Sequence, residues 1–123
     1  MLKSFLNNTC NNLRNLLENT HIELFLRDIA QYKYLGSNPA LVVNLNSCEL
    51  DSPIASGILT QKSSIKVDFY YFERTNETST QELFEVFEAV RTLPQACVSR
   101  IRRHFHKKNV SVWVIETSFL RVI

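Results

Sequence analysis

Residues 64–73, Ser-Ile-Lys-Val-Asp-Phe-Tyr-Tyr-Phe-Glu, constrain the fold more than any other stretch of the chain. Their apolar side chains alternate with a period of two, the signature of a strand. Ile65, Val67, Phe69 and Tyr71 share one face, and Lys66, Asp68, Tyr70 and Phe72 share the other. A strand with large apolar groups on both faces belongs inside a sheet that is covered on both sides. Tyr70 and Phe72 therefore need a cover, supplied either by the N-terminal helix of the same chain or by a neighbouring subunit.

The rest of the chain supplies partners for that strand. Residues 2–17 place Leu2, Phe5, Leu6, Leu13, Leu16 and Leu17 at helical spacing, with Asn on the remaining faces. Asn is a poor helix former, so this helix depends on packing. Residues 21–35 read as a short extended piece and then an irregular segment that ends at Gly36-Ser37-Asn38-Pro39. Pro39 opens Ala40-Leu41-Val42-Val43-Asn44-Leu45, a mostly buried strand. Residues 46–61 show no sustained period and read as a loop; Thr75 to Thr78 is a turn. Ser79-Thr80-Gln81-Glu82 is a capping box that opens a helix. Leu83, Phe84, Phe87, Val90 and Leu93 are expected on its buried face, with Glu82, Glu85 and Glu88 on another. Pro94 either ends this helix or begins a second short one carrying Val98, Ile101 and Phe105. Residues 110–115 and 118–123 are strand-like, either one long strand or one broken near Glu116. The expected architecture is a single α+β domain over 1–123: a small mixed or antiparallel sheet of about four strands packed against two or three helices.

Composition narrows the function classes. At 123 residues the chain is one ordinary domain, and a net charge of +2 falls short of a dedicated nucleic-acid binder. Asn7 to Asn12 interrupts any apolar core of a signal peptide, and no apolar run is long enough to span a membrane. A protein made in a reducing cytosol, with no membrane partner, is the expectation. Cys10, Cys48 and Cys97 are widely spaced and read as small buried hydrophobes, outside any disulfide framework or zinc site. The two glycines, Gly36 and Gly57, cannot build a phosphate-cradling loop. No spacing pairs a nucleophile with His21, His104 or His106. His104 and His106 can flank one side of a strand, but no third metal ligand is near them in sequence. The expectation is therefore no enzyme, no catalytic residue, no cofactor and no metal.

Charge is segregated along the chain. Of 14 Lys and Arg, six lie from Cys97 onward, and of 12 Asp and Glu only Glu116 does. Arg100, Arg102, Arg103, Lys107 and Lys108 form a basic run, joined by His104 and His106. Glu82, Glu85 and Glu88 form an acidic stripe at i, i+3 and i+6. Either group can be plain solvated surface. As contact surfaces, the basic run and the acidic stripe are complementary. The basic run can also meet phosphates, and a small nucleic-acid-binding module using segment 100–108 is the second functional reading. The run itself lacks the aromatic platform that single strands use.

The order of elements resembles a known family. A leading helix, a strand Pro39-Ala40-Leu41-Val42-Val43-Asn44-Leu45, a polar loop, the alternating strand 65–72, a capped helix and a final strand with Trp113 resemble the tail terminator (tail completion) proteins of tailed bacteriophages, of the Mu-like and lambdoid prophage type. The resemblance covers most of the chain; its late segment, residues 97–109, is shorter and more basic than is usual in the family. It implies a structural virion protein in the tail, assembled in the bacterial host's cytoplasm. Such a protein forms a hexameric ring on the end of the tail tube, stops tube polymerisation and provides the head-joining surface. The implied partners are further copies of the chain, the tail tube protein and the head–tail connector, with DNA passing through the ring. In that setting Arg100, Arg102, Arg103, Lys107, Lys108, Glu82, Glu85, Glu88, Tyr70 and Phe72 are the candidate contact residues.

The capping box makes a direct prediction. Ser79→Ala should destabilise the protein by about 0.5–2 kcal/mol in denaturant melts, the usual cost of a lost N-cap.

Overall fold

The computed structural model of the chain describes residues 2–34, 38–50, 62–74, 80–104 and 110–122. Its elements are α1 (Leu2–Leu16), β1 (His21–Leu24), a 3₁₀ turn (Ile29–Gln31), β2 (Ala40–Leu50), β3 (Lys62–Arg74), α2 (Thr80–Arg91), β4 (Ala96–Arg103) and β5 (Val110–Val122). The five strands form one mixed sheet in the order β1-β2-β3-β5-β4. β1 pairs parallel to β2, and every other pair is antiparallel. This is the α+β architecture the sequence implies, with one strand more.

The alternation of β3 survives intact. Ile65, Val67, Phe69 and Tyr71 face the main core, together with Leu41 and Val43 of β2 and Ile115 and Phe119 of β5. Both helices cover this first face. α1 contributes Leu6, Cys10, Leu13 and, just beyond it, Leu17; α2 contributes Val86, Ala89 and Val90, followed by Leu93. Phe5 meets Phe119 edge-on at 5.1 Å, which anchors α1 to β5. Leu16 lies outside the α1 stripe and is exposed.

The second face carries its own apolar cluster: Ala40, Val42, Tyr70, Phe72, Val112 and Val114. Neither cover expected from the sequence, α1 or a neighbouring subunit, provides the roof. It comes from the connection between β1 and β2. Parallel neighbours cannot be joined by a tight turn, so the chain must travel back across a face of the sheet. Here it lays Phe25, Ile29, Tyr32 and Tyr34 on the aromatic cluster. Asn44 of β2 pins it in place by donating from Nδ2 to the carbonyls of Phe25 at 2.8 Å and Arg27 at 2.9 Å. Asp28 caps the 3₁₀ turn by accepting from the Ala30 N–H at 3.1 Å.

Several boundaries differ from expectation. Residues 46–50 continue β2 past a bulge between Leu45 and Ser47, so the expected loop is strand at its start. β3 is longer than residues 64–73, and β5 runs unbroken through Glu116. The turn at Thr75–Thr78 and the cap residue Ser79 lie outside the described residues. α2 ends at Arg91, just before Pro94, and among the described residues no second helix follows: Val98 and Ile101 lie in a strand, and Phe105 is outside the described residues. Ala96 donates to the Leu93 carbonyl at 3.1 Å across a turn in which Gln95 takes a left-handed φ of 64°. The chain then enters β4 as an edge strand. An edge strand is half solvated and needs no regular apolar alternation, so its arginines hid it.

The α2 stripe is rotated from the expected one. Val86 and Ala89 are buried with Val90 and Leu93, whereas Phe84 is 62% exposed. Phe69→Ala should therefore cost about 3–5 kcal/mol by opening a cavity in the core. Phe84→Ala should change stability by no more than about 0.5 kcal/mol, as surface substitutions do. Urea melts of the two variants test this placement.

Candidate interface at the β4 edge and the second sheet face

A second bulge, between Val98 and Arg100, determines how β4 presents its charges. The extra residue resets the alternation so that Arg100 and Arg102 fall opposite Glu116 and Val114, on the second face. Both guanidinium groups donate from Nε to the same Glu116 oxygen, Arg102 at 3.2 Å. The Arg100 hydrogen bond first, and then that of Arg102, holds the Glu116 carboxyl below the usual carboxylate range. Arg103 lies on the other face and places its guanidinium 5.0 Å from the centre of the Trp113 ring, a cation–π contact.

His104 closes the strand. Its N–H donates to the Val112 carbonyl at 2.8 Å, and its ring stands edge-on to Tyr70 at 5.5 Å. Arg102 Nη1 lies 3.3 Å from His104 Nδ1. A guanidinium only donates, so Nδ1 is the acceptor and Nε2 carries the proton of the neutral ring. Burial, and then the Arg102 charge, push the imidazole below its ordinary value. Beyond it on the same face, Asp68 sits opposite Glu116 and is 8% exposed; it accepts from Asn46 Nδ2 at 3.0 Å. Asn46 reaches it from the bulge in β2. His106, Lys107 and Lys108 lie outside the described residues. Among the described residues no group of His, Cys, Asp and Glu could hold a metal ion.

The acidic stripe is on the opposite side of the molecule from Arg100 and Arg102. Glu82, Glu85 and Glu88 are all exposed on α2, which covers the first face. Glu88 accepts from Arg91 at 2.7 Å, and that hydrogen bond lowers its carboxyl below the usual range. Glu82 and Glu85 line a polar cavity of about 820 Å³ with His21 and Tyr71, between the end of α1 and α2. Among the described residues no ion pair joins the α2 glutamates to the β4 arginines. Tyr70 and Phe72, named from the sequence as contact residues, are 6% and 8% exposed beneath residues 25–34 of the same chain. Cys10 is buried as expected, and burial raises its thiol; Cys48 and Cys97 are exposed instead.

Sequence reasoning missed the aromatic wall over the second face. Phe25, Tyr32 and Tyr34 occur close together in a segment with no regular period, and that concentration was the available signal. Glu73 was also missed: it is 2% exposed, and its charge adds to burial in raising the Tyr71 hydroxyl above the usual tyrosine range.

Comparison with protein-family models finds no match. Comparison with curated proteins finds none either. Among the described residues no helix is long and apolar enough to cross a membrane.

Two shifted groups on the second face, His104 and Glu116, predict a pH dependence with one sign on acidification. His104 has a folded-state value below the ordinary 6.5, so the unfolded chain binds its proton first as pH falls. Its contribution is present above that value and lost below it. Glu116, depressed from 4.5, acts in the same direction in a lower window. Stability should thus decline in two steps on acidification. His104→Phe should flatten the upper step and Glu116→Gln the lower one, as read from thermal melts across pH. An NMR titration should find His104 below the ordinary histidine range.

Proposed function

We propose that the protein is a structural assembly subunit of the tail-terminator kind, a building block rather than a catalyst. In this reading, copies pack head to tail into a closed, hexameric ring on the end of a phage tail tube. The ring stops tube polymerisation and offers the surface that joins the head. The protein would then reside in the virion tail, with the tail tube and connector proteins as its neighbours.

One observation carries the reading beyond the resemblance. The acidic stripe on α2 faces away from Arg100 and Arg102, and among the described residues none of its glutamates forms an ion pair with an arginine of β4. Charges on two separate surfaces of one subunit can meet only between copies. A contact between two different surfaces is heterologous, and a heterologous contact that closes makes a ring. The outward residues suited to it are Arg100 on the second face and Glu82 and Glu85 on the side of the first. The roof over Tyr70 and Phe72 is intramolecular, so the reading does not rest on an uncovered sheet face.

The edges of the sheet support the same contact. Arg14 donates to the Ile22 carbonyl at 3.1 Å and so covers part of the short β1 edge. The β4 edge carries a bulge and arginines, features that oppose sheet-to-sheet pairing. Side-chain charge, rather than strand addition, is left to join subunits.

A charge-reversal pair tests this. Arg100→Glu should keep the fold, since exposed ion pairs contribute little to stability, and should lose assembly on its own. Glu82→Lys with Glu85→Lys should lose it too. Mixing the two variants should restore one productive contact, read as dimers by sedimentation velocity. Electron microscopy with tail tubes should show wild-type protein capping tube ends. Wild-type protein that neither self-associates nor binds a tube end would overturn the proposal.

A further inference from the structure

The second face holds a groove that the assembly reading does not use. It encloses about 740 Å³ and is walled by Tyr32 and Tyr34, floored by Phe72 and Val112, and closed at one end by His104. Tyr34 stacks on Phe72 with ring centres 5.5 Å apart and planes 30° apart, and Tyr32 leans on the same ring at 5.1 Å. Lys33 lines the groove, and Arg102 stands behind His104. Among the described residues no carboxylate lines it. The volume is that of a small-ligand site, and aromatic walls suit a planar ring.

The flanking charge selects the ring's chemistry. Among the described residues that line it, Lys33 is the one charged side chain, and it favours a planar group carrying a single anion beside it. A free di- or triphosphate would therefore lack neutralisation. A nucleic-acid strand carries a single charge per phosphate, and that matches Lys33. The aromatic platform missing from the basic run itself is supplied by residues 32–34 and 72, brought beside it by the fold.

We infer that this groove receives one unstacked base of a single-stranded nucleic acid, packed against Tyr34 and Tyr32, with an adjoining phosphate at Lys33. The Nε2–H of the neutral His104 ring is available as a donor to the base edge. Recognition is sequence-tolerant, because stacking accepts every base.

Fluorescence anisotropy with a labelled oligothymidylate of about a dozen nucleotides tests this on the full chain. Wild-type protein should bind at low salt. Its log affinity should fall with log salt at a slope of about −0.7, the value for one phosphate contact on a single strand. Tyr34→Ala should weaken binding roughly tenfold or more, as loss of one stacked base does, whereas Tyr34→Phe should retain it. Lys33→Gln should remove most of the salt dependence, and this exposed substitution keeps the test decisive if Tyr34→Ala unfolds. Absence of binding by folded wild-type protein would overturn the inference and leave the groove to a protein side chain. Binding indifferent to Tyr34→Ala in a folded variant would reduce the site to charge alone and overturn it equally. Thymidine monophosphate binding as tightly as the strand would overturn the assignment to a strand. Ring assembly is read separately by sedimentation, so either proposal can fail without the other.

Discussion

Everything in this fold depends on burying β3 from both sides. Phe69 and Tyr71 point into one core and Tyr70 and Phe72 into another, from neighbouring residues of one strand. A central strand of this kind cannot be stabilised by a single layer. The helices roof the first face with aliphatic side chains. The second roof is an irregular segment, which buries apolar surface without a regular element and relies on Asn44 to satisfy two of its carbonyls. Losing those hydrogen bonds would leave polar backbone over an apolar cluster, which is unfavourable.

The parallel β1–β2 pair creates that second roof. Had β1 joined β2 by a hairpin, residues 25–34 would not cross the sheet, and Tyr70 and Phe72 would face water or another molecule. The same crossing builds the aromatic groove, since Tyr32 and Tyr34 arrive over Phe72 only because the chain must return to start β2. Structural cover and candidate ligand site are two consequences of one topological requirement.

Two bulges then tune the polar half of that face. The one in β2 lets Asn46 reach Asp68, and the one in β4 aligns Arg100 and Arg102 on Glu116. Asp68 and Glu116 sit opposite each other, a like-charge arrangement that would be unfavourable alone. Amide and guanidinium donors, one from each bulged strand, make it tolerable. Arg103 has no part in this network and stays at the edge over Trp113, available to a neighbour.

The sequence by itself determined the elements whose side chains repeat with a strict period. The β3 alternation, the start of β2, the leading helix and the α+β class all follow from where apolar residues recur, because burial on one face imposes that recurrence. It also marked the basic and acidic groups, since charge is carried by residue identity. It did not reveal β4, whose edge position leaves Arg100, Arg102 and Arg103 in solvent and removes the apolar signal. It misplaced Phe84, because a helical stripe read from spacing alone can be rotated until a neighbour selects its face. Only the tertiary structure decided which surface each charged group faces, and that residues 25–34 rather than a helix or a second subunit cover Tyr70 and Phe72. Those outcomes depend on strand order and on the path of the β1–β2 connection, and neither leaves a local periodicity in the chain.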